Sequence, residues 1–299
     1  MRINYPDAKI QAINGATIKV ADGFRYKAEE AAFTFDENAK NAKLLNVKLI
    51  GHSSTRGHGV LVNSDNVTFE NTEVTGFAGY NIVTDNSSFI TLNKVKLADS
   101  NRGGLQVYTS KTSSVATVNL TNVETANNRL GGIHLIADRA NSKIIINGKG
   151  NQHNDQFKGV PSPAFWTEGN GKFDFKLSDF NLYTKIENSY YHIDNDVELT
   201  HAYTELSKTI TDKHTPKMNI ANDFTTNKPL HLNAAVSING NGKTITLNSK
   251  GDPKRNAEGL LISSTVVIDN LNFTAGKAHE EKRRCNHSPD SHFIFRQTQ

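Results

Sequence analysis

The stretch from Leu44 to Asp138 repeats one pattern four times, and this repetition constrains the fold more than any other feature of the sequence. Each copy has a strand of alternating apolar and polar residues, a polar corner that contains glycine, and a second short apolar strand. Alternation with period two predicts strands rather than helices, and self-similarity at roughly 20–30 residues predicts a solenoid. Because the repeats leave no room for crossover helices, we expect parallel strands that stack as a β-helix. The copies begin at Leu44, Asn66, Ser88 and Val115.

A five-residue motif aligns these turns and returns later in the chain. Its second position is Asn in four of the six segments, Lys in one and Asp in one. Asn tolerates left-handed backbone angles, which suits a tight bend. Since buried polar groups need partners, we also expect stacked Asn side chains to hydrogen-bond from turn to turn. The aligned segments are Leu45–Leu49, Glu70–Val74, Asn93–Leu97, Thr121–Thr125, Ser178–Leu182 and Asp269–Phe273.

Composition excludes several classes of protein. The 299 residues carry a formal net charge of +4, without the clustered basicity of a nucleic-acid-binding protein, so we expect no nucleic-acid partner. Cys285 is the only cysteine, which excludes a disulfide framework. No apolar run is long enough to span a bilayer, so we expect no membrane insertion. The first residues do not form a signal peptide, and export would have to be encoded outside this chain.

A second copy of the opening elements lies near the end of the chain. Residues 13–50 contain INGATIKV, AAFTF and LLNVKLIG, and residues 238–275 contain INGNGKTITL, GLLIS and VVIDNLNFTA in the same order. The offset of about 225 residues indicates a long internal repeat. We therefore predict one β-helix module over 1–190, the cap and first turns of a second module over 191–276, and an irregular tail over 277–299.

One helix is predicted, over Val197–Asp212, ahead of a strand at Met218–Phe224. Asn195 with Glu198 three residues later is typical of a capping box. We expect the helix to cover the start of the second coil and shield a sheet edge. Its apolar face consists of Leu199, Ala202, Tyr203, Leu206 and Ile210.

The polar stretch between Asn147 and Lys172 is predicted to be a long loop, and it contains Trp166. Long loops often carry function, which makes Trp166 a candidate binding residue. The alternative is that Trp166 plugs the open end of the coil, because solenoid ends need capping.

The predicted helix and the INGNGKTI segment resemble the start of pectate-lyase-like right-handed parallel β-helices. The tandem arrangement is similar to the pectate-lyase-like adhesive modules of Gram-positive bacterial surface proteins, such as the binding regions of lactobacillal serine-rich repeat adhesins. The resemblance implies an all-β, right-handed parallel β-helix with one capping helix, and a secreted or cell-surface adhesin that binds carbohydrate. It also leads us to expect that this chain is part of a longer surface protein.

The motifs of an enzyme are weak in this sequence. The Arg-x-Pro-x-x-Arg and Trp-x-Asp-His elements of pectate lyases are absent, since Trp166 is followed by Thr-Glu-Gly. Asp85, Asp99 and Asp138 occur in different turns and form no adjacent pair of the kind that β-helix hydrolases need. We expect no cofactor, although Asp85 and Asp99 with neighbouring Asn residues leave a Ca²⁺ site open. A polysaccharide lyase and a passive stalk therefore remain the alternatives to a binding module.

Three arginines mark the predicted binding edge. Arg56, Arg102 and Arg129 each lie at a glycine-flanked corner, and Arg102 and Arg129 are expected to stand one above the other. Arginine suits bidentate recognition of carboxylate or sulfate, so an acidic polysaccharide or a host or cell-wall glycan is the expected ligand. The alternative is a row of solvated corners where glycine supplies backbone freedom. Further candidate ligand contacts are His52, His58, Asn101, Asn127, Asn128, Tyr80 and Tyr108, and His134 is expected to point outward.

Overall fold

The computed structural model describes residues 1–21, 30–52, 57–175, 182–208, 216–249, 259–276 and 293–296. Stacked parallel strands form a right-handed-type parallel β-solenoid, with about nine turns in its two units taken together. The units are Met1–Asn181 and Leu182–Gln299. In the described part of the chain, no helix is long and apolar enough to cross a membrane.

The elements that the structure describes in the first unit are all strands. They are β1 (Arg2–Ile3), β2 (Lys9–Lys19), β3 (Ala31–Phe35), β4 (Lys43–Ile50), β5 (His58–Val62), β6 (Val67–Thr75), β7 (Ile82–Asp85), β8 (Phe89–Ala98), β9 (Gly103–Thr109), β10 (Val115–Thr121), β11 (Glu124–Ala126), β12 (Gly131–Ala137), β13 (Lys143–Lys149), β14 (Gln152–Asn154), β15 (Gln156–Phe157), β16 (Val160–Pro161), β17 (Phe165–Glu168) and β18 (Lys172–Asp174).

Two parallel sheets wind through this unit. The first runs β1-β3-β5-β7-β9-β12-β17, and the second runs β18-β13-β10-β8-β6-β4-β2, with β11 and β14 alongside. Alternate side chains of each strand enter the coil, because successive residues of a strand point to opposite faces. One interior ladder of the first sheet, read from turn to turn, is Phe35, Val62, Thr84, Val107, Leu135 and Thr167, all buried.

The bends predicted from the five-residue motif are confirmed in five of its six copies, while Asp179 of the Ser178–Leu182 copy lies outside the described residues. Asn46, Asn71, Lys94, Asn122 and Asn270 have φ values of 58°, 47°, 53°, 51° and 47°. The Asn71 amide also donates to the Asn46 side-chain oxygen at 3.2 Å, so the asparagines bond from turn to turn as expected. Left-handed backbone costs most residues roughly 1–2 kcal/mol, which explains why Asn recurs here.

The predicted loop between Asn147 and Lys172 is wrong, because this segment forms another turn of the coil. Strand β17 pairs in parallel with β12, and Trp166 lies level with His134. A short antiparallel hairpin, β15–β16, projects from this turn with Lys158 and Gly159 at its tip. Sequence periodicity failed here because the strands are only two to four residues long.

The second unit begins with a hairpin and a helix before its own coil. Its elements are β19 (Thr184–Ile186), β20 (Ser189–Ile193), α1 (Asp196–Ser207), β21 (Lys217–Ile220), β22 (Phe224–Thr226), β23 (Leu230–Leu232), β24 (Val236–Leu247), β25 (Leu260–Ile262), β26 (Val266–Ala275) and β27 (Phe293–Arg296). The single strand predicted over Met218–Phe224 is divided between β21 and β22.

The helix α1 starts as predicted. The Asn195 side chain accepts from the Glu198 backbone N–H at 2.9 Å, while the Glu198 carboxylate accepts from the Asp194 N–H, one residue earlier than in a regular capping box. The helix buries Leu199, Ala202, Tyr203 and Leu206 in the core of this unit. Ile210 and the predicted end at Asp212 lie outside the described residues.

Candidate functional site

The register between turns revises the predicted arginine stripe. Gly103 lies level with Gly131, so Arg102 is level with Leu130, and Arg129 is level with Asn101. The two guanidinium groups therefore belong to different positions, not to one column. Arg56 lies outside the described residues, so its place in the stripe stays a prediction.

The paired glycines at these corners provide space on both sides of the chain. A Cβ on Gly103 would lie 2.7 Å from the Tyr80 ring, and one on Gly131 would lie 2.8 Å from the Trp166 ring, both on the outer side. A Cβ on Gly132 would instead lie 2.7 Å from the Asp155 carboxylate inside the coil. The alternative that glycine supplies backbone freedom at these corners holds for Gly57 and Gly131, with φ values of 113° and 131°, but not for Gly103 or Gly132.

An aromatic stack fills the outer space that the glycines leave. The His134 ring lies between Tyr80, at 5.9 Å, and Trp166, at 4.3 Å, with His58 6.0 Å beyond Tyr80. Tyr80, His58 and Trp166 were candidate ligand contacts, but they are only 3%, 4% and 8% exposed, so their rings are covered by the protein. Trp166 is also not a plug at the coil end, because it packs on the outside of the first sheet.

Hydrogen bonds determine the tautomer of His134. The Tyr80 hydroxyl and His134 Nδ1 are 2.7 Å apart, and Glu168 Oε1 lies 3.2 Å from His134 Nε2. Burial lowers the pKa of His134 to about 4, although Glu168 acts in the opposite direction, and burial raises the pKa of Tyr80 to about 12. At neutral pH, Tyr80 therefore donates to Nδ1, and Nε2 carries the ring hydrogen close to the Glu168 carboxylate. His134 was expected to point outward from the coil, and it does so, but Tyr80 and Trp166 cover its ring.

Asn128, predicted to contact a sugar, is fully buried and engaged inside the coil. Its side-chain oxygen accepts from the Ser100 N–H at 3.1 Å and from the Asn81 amide at 3.2 Å. Its amide nitrogen donates to Leu97 O at 2.9 Å and to Asp155 Oδ1 at 2.7 Å. Such a fully used amide has no group left for a ligand, so we do not retain it as a contact.

The exposed candidate site combines the two described arginines with the β15–β16 hairpin. The Arg129 guanidinium lies 4.7 Å and the Lys158 ammonium 5.3 Å from the centre of the Phe157 ring, and Arg102 lies 6.0 Å from the centre of Tyr80. Leu130, Phe157 and Val160 are 47%, 39% and 46% exposed. We call this group the hairpin surface: Arg102, Arg129, Leu130, Phe157, Lys158 and Val160.

Among the residues that the structure describes, no ion pair neutralises the charges of the hairpin surface. In the part of the chain that the structure describes, Arg102, Arg129 and Lys158 belong to none of the ion pairs. Cation–π contacts hold each cation over a ring while leaving its N–H donors available. Sequence reasoning found Arg102 and Arg129 but missed Phe157, Lys158 and Val160, whose only signal was the Lys158–Gly159 turn.

The outer face of the second sheet differs in this respect. Lys48 pairs with Glu73 at 3.0 Å, and Lys96 pairs with Glu124 at 3.0 Å. The register places these four residues in one ladder across four successive turns. Alternating charges neutralise this face, so it is a poor candidate for an anionic ligand.

The remaining predicted contacts lie at or near the surface. Asn101 is exposed, while Tyr108 and His52 are half-buried. Tyr108 lies level with Asp85 rather than with Tyr80, which precedes strand β7. Asn127 is exposed, and its amide donates to Asp99 at 3.2 Å.

The carboxylates considered for Ca²⁺ have protein partners. Asp85 accepts from the Asn86 amide at 2.6 Å, and Asp99 accepts from Asn127. Among the residues that the structure describes, no group of three or more His, Cys, Asp or Glu side chains is arranged to hold a metal ion.

The fold and this site define the class of protein: a parallel β-solenoid with a basic and apolar hairpin on one edge. No protein-family model, no curated protein and no solved structure matches the sequence.

Proposed function

We propose that this protein is a non-catalytic carbohydrate-binding module of a bacterial surface protein, and that the hairpin surface binds an acidic polysaccharide. The observation that carries the proposal is a set of three cations that have no carboxylate partner among the described residues, that lie over aromatic rings and that are surrounded by exposed apolar side chains. The resemblance of the sequence to adhesive modules of Gram-positive bacteria supports the same class and a secreted or cell-surface location.

The chemistry of the hairpin surface fits an anionic sugar chain. Arginine donates two parallel hydrogen bonds to a carboxylate or sulfate. Ring faces and aliphatic groups such as those of Phe157, Leu130 and Val160 can pack on the apolar faces of sugar rings. Each exposed charge contact contributes only about 0.2–1 kcal/mol, so affinity would come from several contacts along one polymer.

Binding without catalysis is favoured by the burial of two acid–base groups near the surface, Tyr80 and His134. Tyr80 and His134 bond to each other beneath the surface, at 3% and 5% exposure. A general base must reach the proton that it removes, and these side chains lack that access.

The test is binding of polygalacturonate, alginate and a sulfated glycan, with neutral dextran as the control ligand, across a salt series. Arg102→Ala with Arg129→Ala should weaken anionic binding by about 2- to 30-fold, the sum of two exposed contacts, and should reduce its dependence on salt. The matched control is Lys48→Ala with Lys96→Ala, which removes the same charge from the neutralised face and should leave binding unchanged.

Other outcomes identify the alternatives. Appearance of unsaturated uronate absorbance on adding polyuronate and Ca²⁺ would indicate a lyase. Absence of both binding and product would favour a passive stalk. Equal losses in the two double variants would mean that net charge, and not the hairpin surface, attracts the polymer.

A further inference from the structure

The hairpin surface is assembled from three successive turns of the coil: Arg102 comes from the corner before β9, and the other residues form two halves from the two turns that follow. Arg129 and Leu130 come from the corner before β12, whereas Phe157, Lys158 and Val160 come from the β15–β16 hairpin one turn later. A binding surface of this kind needs a fixed distance between its two halves.

A buried carboxylate joins the two halves. Asp155, 6% exposed, accepts at Oδ1 from the Asn128 N–H at 3.1 Å and from the Asn128 amide at 2.7 Å. Its Oδ2 accepts from the Thr125 hydroxyl. Asn128 directly precedes Arg129, and Asp155 directly precedes the hairpin, so these bonds join the bases of both halves.

Further backbone and side-chain hydrogen bonds join the two ends of the hairpin to the corner that contains Arg129. The Ser162 N–H donates to Asp155 O at 2.9 Å, and the Ser162 hydroxyl donates to Arg129 O at 2.9 Å. On the other strand of the hairpin, the Gln156 amide donates to the Asn127 side-chain oxygen at 3.4 Å. Asp155 therefore bonds to both segments: its buried side chain accepts from Asn128, and its backbone oxygen accepts from Ser162.

We propose that Asp155 is the positioning residue of the hairpin surface: its bonds to Asn128 hold the Phe157–Lys158 hairpin against the Arg129 corner and so set the spacing of the charges that an anionic chain would meet. The proposal rests on the proposed function for its ligand, but not for the junction itself. Asp155 is buried and touches no ligand, and it acts through Arg129 and Lys158.

The hydrogen-bond partners of Asp155 predict that Asp155→Asn will disturb the junction less than Asp155→Ala. Thr125 lies between Asp155 and His153 Nδ1, which is 2.6 Å from the Thr125 hydroxyl oxygen. An ionised Asp155 accepts a hydrogen bond from the Thr125 hydroxyl. An amide at this position would instead donate to the Thr125 oxygen, and the Thr125 hydroxyl would then donate to His153 Nδ1. Asp155→Asn therefore keeps an acceptor for Asn128 and a partner for Thr125, but Asp155→Ala removes both.

Trypsin cleavage after Lys158 in the folded full-length chain tests the junction without any ligand. Asp155→Ala should speed this cleavage at least tenfold, and Asp155→Asn should stay close to wild type. Gly132→Ala should also speed cleavage, because its Cβ would lie 2.7 Å from the Asp155 carboxylate and 2.5 Å from the Thr125 hydroxyl. Leu92→Ala is the control, since Leu92 is fully buried elsewhere in the coil and its loss destabilises the unit without touching the junction.

Binding of polygalacturonate by the same variants completes the test. The expected result is weaker binding by Asp155→Ala and near wild-type binding by Asp155→Asn and Leu92→Ala. Cleavage of Asp155→Ala at the rate of Leu92→Ala would overturn the proposal, as would faster cleavage with unchanged binding. If wild type binds no polyanion while the cleavage pattern holds, the proposed function fails and the junction stands.

Discussion

Two strands of the molecule share one design but differ in what covers them. Strands β2 and β24 each contain Asn-Gly-x-Thr-Ile, and each bulges where it pairs with the next strand, between Gln11 and Ala16 and between Asn239 and Lys243. The bulges end at Gly15 and Gly242, with φ values of 80° and 75°. The sequence repeat is therefore also a repeat of backbone geometry.

The two strands differ in the elements that cover them from the preceding turn. In the second unit, β21 and β22 pair with β24, and Ile238 and Ile245 are each 1% exposed. In the first unit, β2 pairs only with β4 among the described residues, and Ile18, the structural equivalent of Ile245, is 37% exposed. The same motif thus specifies a strand and its bulge, while burial depends on which elements precede it.

The largest expected effect concerns the helix that belongs to the second unit. Leu206→Asp places a charge without a partner at a position that is 1% exposed, in the core of this unit. Burying an uncompensated charge is among the most damaging substitutions, so we expect a loss of more than about 4 kcal/mol in the unfolding free energy of this unit. Hydrogen exchange of peptides from each unit checks whether only the second unit opens.

The control for that substitution is Val197→Asp. Val197 is 49% exposed in the first turn of α1, where a negative charge is favourable. Equal exchange in both aspartate variants and in wild type would show that the helix does not stabilise its unit.

A matched pair of alanine variants tests the comparison directly. Ile245→Ala should cost about 2–5 kcal/mol, as expected for a buried isoleucine. Ile18→Ala should cost less than Ile245→Ala, because its side chain is already partly in water. Urea unfolding of each variant measures both values, and equal losses would mean that β2 is covered as completely as β24.

Acid should change the stability of the two units in opposite directions. Burial lowers the pKa of His134 and of His153 to about 4, so the unfolded first unit binds these protons at higher pH than the folded one. Stability from these groups is therefore lost as the pH falls from 6.5 towards 4. Burial raises the pKa of Asp155 to about 6, which offsets part of the loss between pH 6 and 3.8. In the second unit, burial raises the pKa of Glu198 to about 7, so that its contribution increases as the pH falls from 7 towards 4.5.

Two non-titrating variants isolate these contributions. His134→Gln should make the first unit less sensitive to acid, and Glu198→Gln should remove the gain in the second unit on acidification. The measurement is the melting temperature of each unit between pH 7.5 and pH 4.5. Parallel pH curves for wild type and either variant would contradict the assignment of that group.

The smallest effect should be the same in both units. Asn71→Ala and Asn270→Ala each place alanine at a φ of 47°, which should cost about 1 kcal/mol. Asn71→Gly, which has no Cβ, should recover much of the loss in chemical denaturation. Unequal costs at the two positions would show that side-chain bonds between turns, such as that of Asn71 to Asn46, outweigh the backbone term.

Some features of the site were within reach of the sequence and others were not. The corners that contain Arg102 and Arg129 could be predicted from the glycines that follow each arginine. Their offset by one residue does not, because register between turns depends on how many residues each corner contains. Phe157 and Lys158 lie in strands of two residues or at a hairpin tip, where no periodicity can be read.

The sequence by itself determined the longer strands of the repeats, the left-handed Asn bends and the capped helix, because each depends on interactions within a few residues or on a period-two pattern. Tertiary structure alone decided which polar residues are exposed. The local sequence predicts Tyr80, Asn128 and Trp166 to be surface residues. Stacking of the turns buries them against glycines that lie 23 to 35 residues away in the sequence, such as Gly103 and Gly131. The physical reason is that burial is set by neighbours one or two turns distant, and their register is not encoded in any local pattern.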